Sequence, residues 1–137
     1  MTIPVFDGHN DFLLRLSRNP HRRDEIWLEG SPFGHLDLPR MKAGGFAGGL
    51  FAIFVPSGDD GSGPARETAL DHPPYDQPLA QAVPLETALP AALAMAQDLA
   101  WMERTSHGAL RICRSAADLR DCLAQGIIGA VLHMEGA

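Results

Sequence analysis

The sequence predicts an α/β fold built on a parallel sheet, with three to four strands and intervening helices across residues 1–137. Three observations carry that expectation. Short apolar runs that are continuous, not alternating, occur at residues 3–6, 48–55, 109–113 and 127–134, as in strands covered on both faces. Helical patterns separate them, giving the strand–helix–strand alternation of a parallel sheet. Two of the runs end in ionisable residues, His9/Asp11 and Glu135.

Residues 3–6 are a short run that empties into Asp7-Gly8-His9-Asn10-Asp11, so they read as a buried strand followed by a loop. Phe12-Leu13-Leu14-Arg15-Leu16 gives one or two helical turns. Residues 19–34 are polar and punctuated by Pro20, Gly30 and Pro32, which predicts a loop. A short helix follows, with Asp37 as N-cap, Pro39 in its first turn and Gly44-Gly45 as the stop. Residues 46–55 follow, of which 48–55 form a second buried strand. Gly48 and Gly49 near its start imply close approach of another backbone.

Residues 56–78 are rich in Gly, Pro and Asp and read as an exposed loop insertion. From residue 84 to 105, Leu85, Ala88, Leu89, Ala92, Leu93, Ala96, Leu99 and Ala100 recur at helical spacing; Pro90 should kink this helix or mark its start. Residues 109–113 give a third strand. Ser115 caps a helix that Gly126 ends, and residues 127–134 are a nearly continuous apolar strand closed by Glu135.

Composition excludes some classes. With 45% hydrophobic and 20% charged residues, the chain reads as an ordinary globular domain. Its 17 acidic against 11 basic residues give a net charge of −6, without the basic face a nucleic-acid partner would need. No apolar run reaches the ~18 residues of a membrane span. The N-terminus lacks the basic and apolar regions of a leader, so a cytoplasmic location with no membrane partner is expected. Cys113 and Cys122 form no CxxC pair and are expected to be buried free thiols.

Two places could carry chemistry. In extended backbone, residues two apart project to the same side, so His9 and Asp11 can reach one divalent ion. Glu135 ends an apolar strand, where a carboxylate is costly unless paired or metal-bound. Its two oxygens could bridge two ions ~3.5–4 Å apart. The plain alternative makes Asp11 a helix cap, His9 a satisfied loop histidine and Glu135 a surface residue. His133, two before Glu135 and on its face, reads as a structural core histidine.

Three blocks then resemble one family. Val5-Phe6-Asp7-Gly8-His9-Asn10-Asp11 is similar to the opening of the membrane (renal) dipeptidase family, peptidase family M19. Leu36-Asp37-Leu38-Pro39-Arg40-Met41-Lys42-Ala43-Gly44-Gly45 is similar to its second block. Ile128-Gly129-Ala130-Val131-Leu132-His133-Met134-Glu135-Gly136-Ala137 is similar to its third-strand block. HxD, in place of the HxH of most related amidohydrolases, is the discriminating detail.

The resemblance implies the N-terminal part of a distorted (β/α)8 TIM-like barrel with two Zn2+ ions. His9 and Asp11 would ligate the first ion and Glu135 would bridge both. A hydroxide between the ions would attack dipeptides bearing a free C-terminal carboxylate, with D-residues tolerated on that side. The family's further zinc-binding and substrate-binding histidines, its carboxylate-binding arginine and its catalytic aspartate lie beyond residue 137. A complete barrel takes about 250 residues. The chain is therefore expected to be an incomplete barrel domain, a fragment or a truncated gene product, with a homodimer as candidate assembly of the enzyme. The competing expectations are an inactive barrel fragment serving binding or oligomerisation, and an amidohydrolase acting on another amide or ester.

Overall fold

Four parallel strands pair in the order β1-β2-β4-β3: β1 (Val5–Asn10), β2 (Phe46–Ile53), β3 (Leu110–Ile112) and β4 (Ile128–Met134). The structure is a computed structural model and describes residues 3–57, 73 and 81–135. The insertion expected at 56–78 therefore falls almost wholly outside the described residues. Within them, the α-helices are α1 (Phe12–Ser17), α2 (Leu38–Gly44), α3 (Leu85–Thr105) and α4 (Ala116–Gln125).

The strand at 128–134, not the one at 110–112, lies beside β2. Its register runs from Gly48↔Gly129 to Ile53↔Met134, and the Glu135 N–H continues the ladder to the Ile53 carbonyl at 3.1 Å. Two glycines meet at the start of this pairing because the backbones are close. A Cβ on Gly48 would sit 2.5 Å from the Gly129 carbonyl oxygen. The close approach read from Gly48 and Gly49 is thus present, and β3 is a short addition outside β4.

The core lies between the sheet and the helices, where Phe51 and Ile53 meet Leu13, Leu16, Met95, Leu99 and Met102. Burial of such side chains is worth roughly 1.5–3 kcal/mol each, which makes this layer the main source of cohesion. Side chains alternate along a strand, so Leu50 and Ala52 face the opposite side, together with their β4 partners Val131 and His133.

Local signals explain the helices. Asp37 is 1% exposed, and its carboxylate accepts from the Arg40 backbone N–H at 2.7 Å and from the Arg40 guanidinium at 2.8 Å. Pro39 fills the first turn and Gly45, at φ 71°, ends the helix. Ser115 caps α4 by accepting from the Asp118 N–H, and Gly126 closes it at φ 67°. Asp37→Ala removes the α2 cap and the Arg40 ion pair, leaving the guanidinium its bond to the Gly34 carbonyl, so stability should fall by about 1–2 kcal/mol in urea unfolding. A change under about 0.5 kcal/mol would contradict this role.

Several expectations need correction. Residues 19–34 are not simply loop: Pro20–Arg22 is a 3-10 turn and Glu25–Gly30 a π-helical segment. The apolar pair Ile26-Trp27 is fully buried there, against Phe12. Arg23 holds this segment to α3, donating to the buried Asp98 at 2.6 Å with its guanidinium over Trp101. β1 is an edge strand, so Val5 and Phe6 remain 50% and 43% exposed instead of buried. The α3 stripe is rotated from the one read in the sequence: Met95, Asp98, Leu99 and Met102 are buried, while Leu85, Leu89 and Leu93 are exposed. The helix begins at Leu85, so Pro90 does not mark its start and falls in an exposed stretch.

The two cysteines are buried free thiols with sulfurs 3.6 Å apart. Burial, reinforced by Cys122, pushes the Cys113 thiol up to about 12. It stays protonated at neutral pH and is a poor nucleophile. Among the described residues, no helix is long and apolar enough to cross a membrane.

Candidate metal centre

The C-terminal ends of β1 and β4 carry the chemistry, although β2 separates them. His9 is the next-to-last residue of β1, so the strand runs further than residues 3–6 and the histidine is on it, not in a following loop. Asp11 lies at the N-cap of α1, yet its side chain makes no capping hydrogen bond. Glu135 follows β4 directly, its backbone held by Ile53.

The three side chains converge. His9 Nε2 is 3.5 Å from Asp11 Oδ1 and 3.6 Å from Glu135 Oε2, and one donor atom from each residue lies within 4.8 Å of the others. These separations exceed the 2.7–3.2 Å of a good hydrogen bond. The two His9 separations match the ~3.3–3.6 Å edge of a tetrahedron whose donors sit 2.0–2.2 Å from a central Zn2+. One nitrogen and two carboxylate oxygens suit such a borderline-soft ion. All three are 41–53% exposed, so the cluster is open to ligand from the rim of the sheet. The donor set and its spacing fit one divalent ion.

Two features escaped the sequence reading. His133 is half-buried, not a core histidine; its ring meets that of His9 edge-on at 5.7 Å, which limits rotation of His9. The two-residue alternation that put His133 on the face of Glu135 was the available signal. A cavity of about 400 Å³ also opens beside His9 and Asp11, walled by Phe12, Arg15, His35 and Leu36. Arg15 donates to the Phe33 and Leu36 carbonyls, so its guanidinium holds the 33–36 turn in place. No single-sequence pattern links residue 15 to that turn.

Comparison with known proteins decides the family. The pattern of the membrane dipeptidase family (peptidase family M19) matches residues 1–137. The chain belongs to this family. A metallo peptidase from Rhodobacter sphaeroides, solved with a phosphinate mimic of the dipeptide L-Ala-D-Ala, is 57% identical with a TM-score of 0.91, covering 99% of this chain and 39% of that one. Dipeptidase AC, an M19 metallo peptidase, is also 57% identical, at TM-score 0.88 and with 100% and 38% of the two chains covered. A protein encoded in the PQQ-III 3' region of Acinetobacter calcoaceticus is 37% identical over 136 residues, 41% of its length. The chain thus spans about two fifths of its M19 relatives. Its four parallel strands correspond to the N-terminal part of their TIM-like barrel.

Proposed function

We propose that the full-length M19 protein containing these residues is a zinc-dependent dipeptidase, with His9, Asp11 and Glu135 as metal ligands. The observation that carries this reading is the convergence of one imidazole and two carboxylates, from the ends of two non-adjacent strands, within 4.8 Å. Strand ends on one rim are where barrel enzymes collect reactive groups. Residues 1–137 then form one incomplete barrel domain.

His9 and Asp11 would hold one Zn2+. One Glu135 oxygen would join them, leaving the other for a second Zn2+ whose remaining ligands come from outside this chain. When bound, the ions supply a water activated at neutral pH and polarise the scissile carbonyl. The chain's own residues fix the donors: β1 carries His9, the N-cap position of α1 carries Asp11, and the Ile53–Glu135 backbone bond sets the reach of Glu135. The His133 ring restrains His9. The substrate class is a dipeptide with a free C-terminal carboxylate, including those with a D-residue on that side, in keeping with the dipeptide mimic held by the Rhodobacter sphaeroides relative.

The test is a substrate panel on the zinc-loaded full-length protein. L-Ala-D-Ala and L-Ala-L-Ala should be cleaved, with activity lost on chelation and regained with Zn2+. A dipeptide panel left intact while another amide or an ester is hydrolysed would move the site to that substrate class.

A further inference from the structure

Asp11 occupies a helix N-cap without capping the helix. An aspartate at that position ordinarily turns a carboxylate oxygen onto the second or third amide of the helix. Here its carboxylate lies toward His9. The residue before it supplies the local bond instead: the Asn10 Oδ1 accepts from the Phe12 N–H, the first amide of α1, at 3.4 Å. That bond spans Asp11 and holds its backbone at φ −95° and ψ 31°.

Asn10 is itself braced. It is 8% exposed, and its Nδ2 donates to Asp7 Oδ2 at 3.0 Å. The other Asp7 oxygen accepts from the His9 backbone N–H at 3.2 Å. Asp7 and Asn10 thus form a continuous strap: His9 amide, Asp7 carboxylate, Asn10 amide, Phe12 amide. It runs across His9 at the end of β1 and Asp11 at the N-cap of α1, and uses both ends of each strap side chain. Without it, the Asp11 carboxylate is free to turn back onto the helix amides, a competition that short polar side chains readily win.

We propose that Asn10, braced by Asp7, is a positioning residue that withholds Asp11 from helix capping and presents it, in register with His9, to the metal. This rests on the metal-site reading above. The strap acts through hydrogen-bond direction. It is polarised, with Asp7 accepting twice and Asn10 donating once and accepting once.

Asn10→Asp in the full-length protein tests it. The variant loses the Nδ2 donor and sets a second carboxylate against Asp7, while adding negative charge near the ion. Charge alone predicts tighter Zn2+ binding. The strap predicts weaker binding, by 10- to 100-fold as is typical when an outer-shell partner is lost, measured by competition with a chromophoric chelator. The Asp7→Asn/Asn10→Asp swap re-creates the three bonds with the central donor and acceptor exchanged, and should recover affinity to within about threefold. The metal-free melting temperature of the swap should lie within a few degrees of wild type, and affinities are compared among variants that remain folded at the assay temperature.

Unchanged or tighter Zn2+ binding by Asn10→Asp overturns the proposal, as does a swap no better than Asn10→Asp. Should Asn10→Asp fail to fold, Asp7→Asn takes its place: the strap predicts weaker Zn2+ binding that the swap recovers, and wild-type affinity in Asp7→Asn, or a swap no better than it, overturns the proposal. A wild-type protein that takes up no Zn2+ sinks the metal reading itself; wild-type uptake with Asn10→Asp unaffected sinks the strap alone.

Discussion

His9→Ala or Asp11→Ala in the full-length protein should abolish dipeptide cleavage and lower bound zinc, with affinity reduced by on the order of a hundredfold or more. Loss of an outer contact to a ligand typically costs 10- to 100-fold, and removal of the ligand itself costs at least that. The substitutions should leave the metal-free fold nearly untouched. His9, Asp11 and Glu135 are 42%, 53% and 41% exposed, and none fills the core. Surface truncations of this kind usually shift stability by under about 0.5 kcal/mol. Zinc content by elemental analysis and melting of the metal-free protein therefore separate in opposite ways. Normal zinc stoichiometry in both variants would remove His9 and Asp11 from the ligand set.

The largest stability loss is expected at a glycine. In Gly48→Val the new Cβ lands 2.5 Å from the Gly129 carbonyl oxygen and 3.0 Å from the Phe6 ring. The ring can move, but the carbonyl belongs to the β2–β4 ladder that also positions Glu135. Relief requires the strands to part. Forced overpacking of this kind costs typically 1–3 kcal/mol, and a backbone clash between central strands belongs at the upper end, about 3 kcal/mol, or prevents folding. Gly44→Ala is the control: nothing lies within 4 Å of its Cβ, and it ends a helix. It should be neutral or stabilising by about 0.5 kcal/mol. Equal urea midpoints for Gly48→Val and wild type would contradict the close-approach account.

Much of this was legible in the sequence because it depends on local chemistry. Asp37, Pro39 and Gly45 specify α2, and Ser115 and Gly126 specify α4, through contacts within a few residues. Continuous apolar runs mark β2 and the first half of β4, which helices and sheet neighbours cover; Leu132 and Met134 at the far end of β4 are exposed. Non-local features were not legible. The position of β3 outside β4 is set by strand pairing, which no run of residues encodes. The exposure of Phe6 follows from β1 lying at an edge, and the burial of Trp27 from a segment docked on α1 and α3 through Arg23 and Asp98.

For the site, the HxD spacing and a carboxylate ending an apolar strand singled out His9, Asp11 and Glu135, and the fold brings all three together. The supporting residues were harder to find. Asp7 and Asn10 look like ordinary turn residues, and only coordinates reveal that their side chains are bonded to each other across the two candidate ligands. His133 was placed on the right face but read as core, since burial depends on what covers that face.

A zinc-edge anomalous difference map from crystals of the full-length protein bears on these assignments at once. The account predicts a peak about 2.0–2.2 Å from His9 Nε2 and from one carboxylate oxygen each of Asp11 and Glu135. A zinc peak elsewhere, with the Glu135 carboxylate turned to bulk solvent, would contradict it.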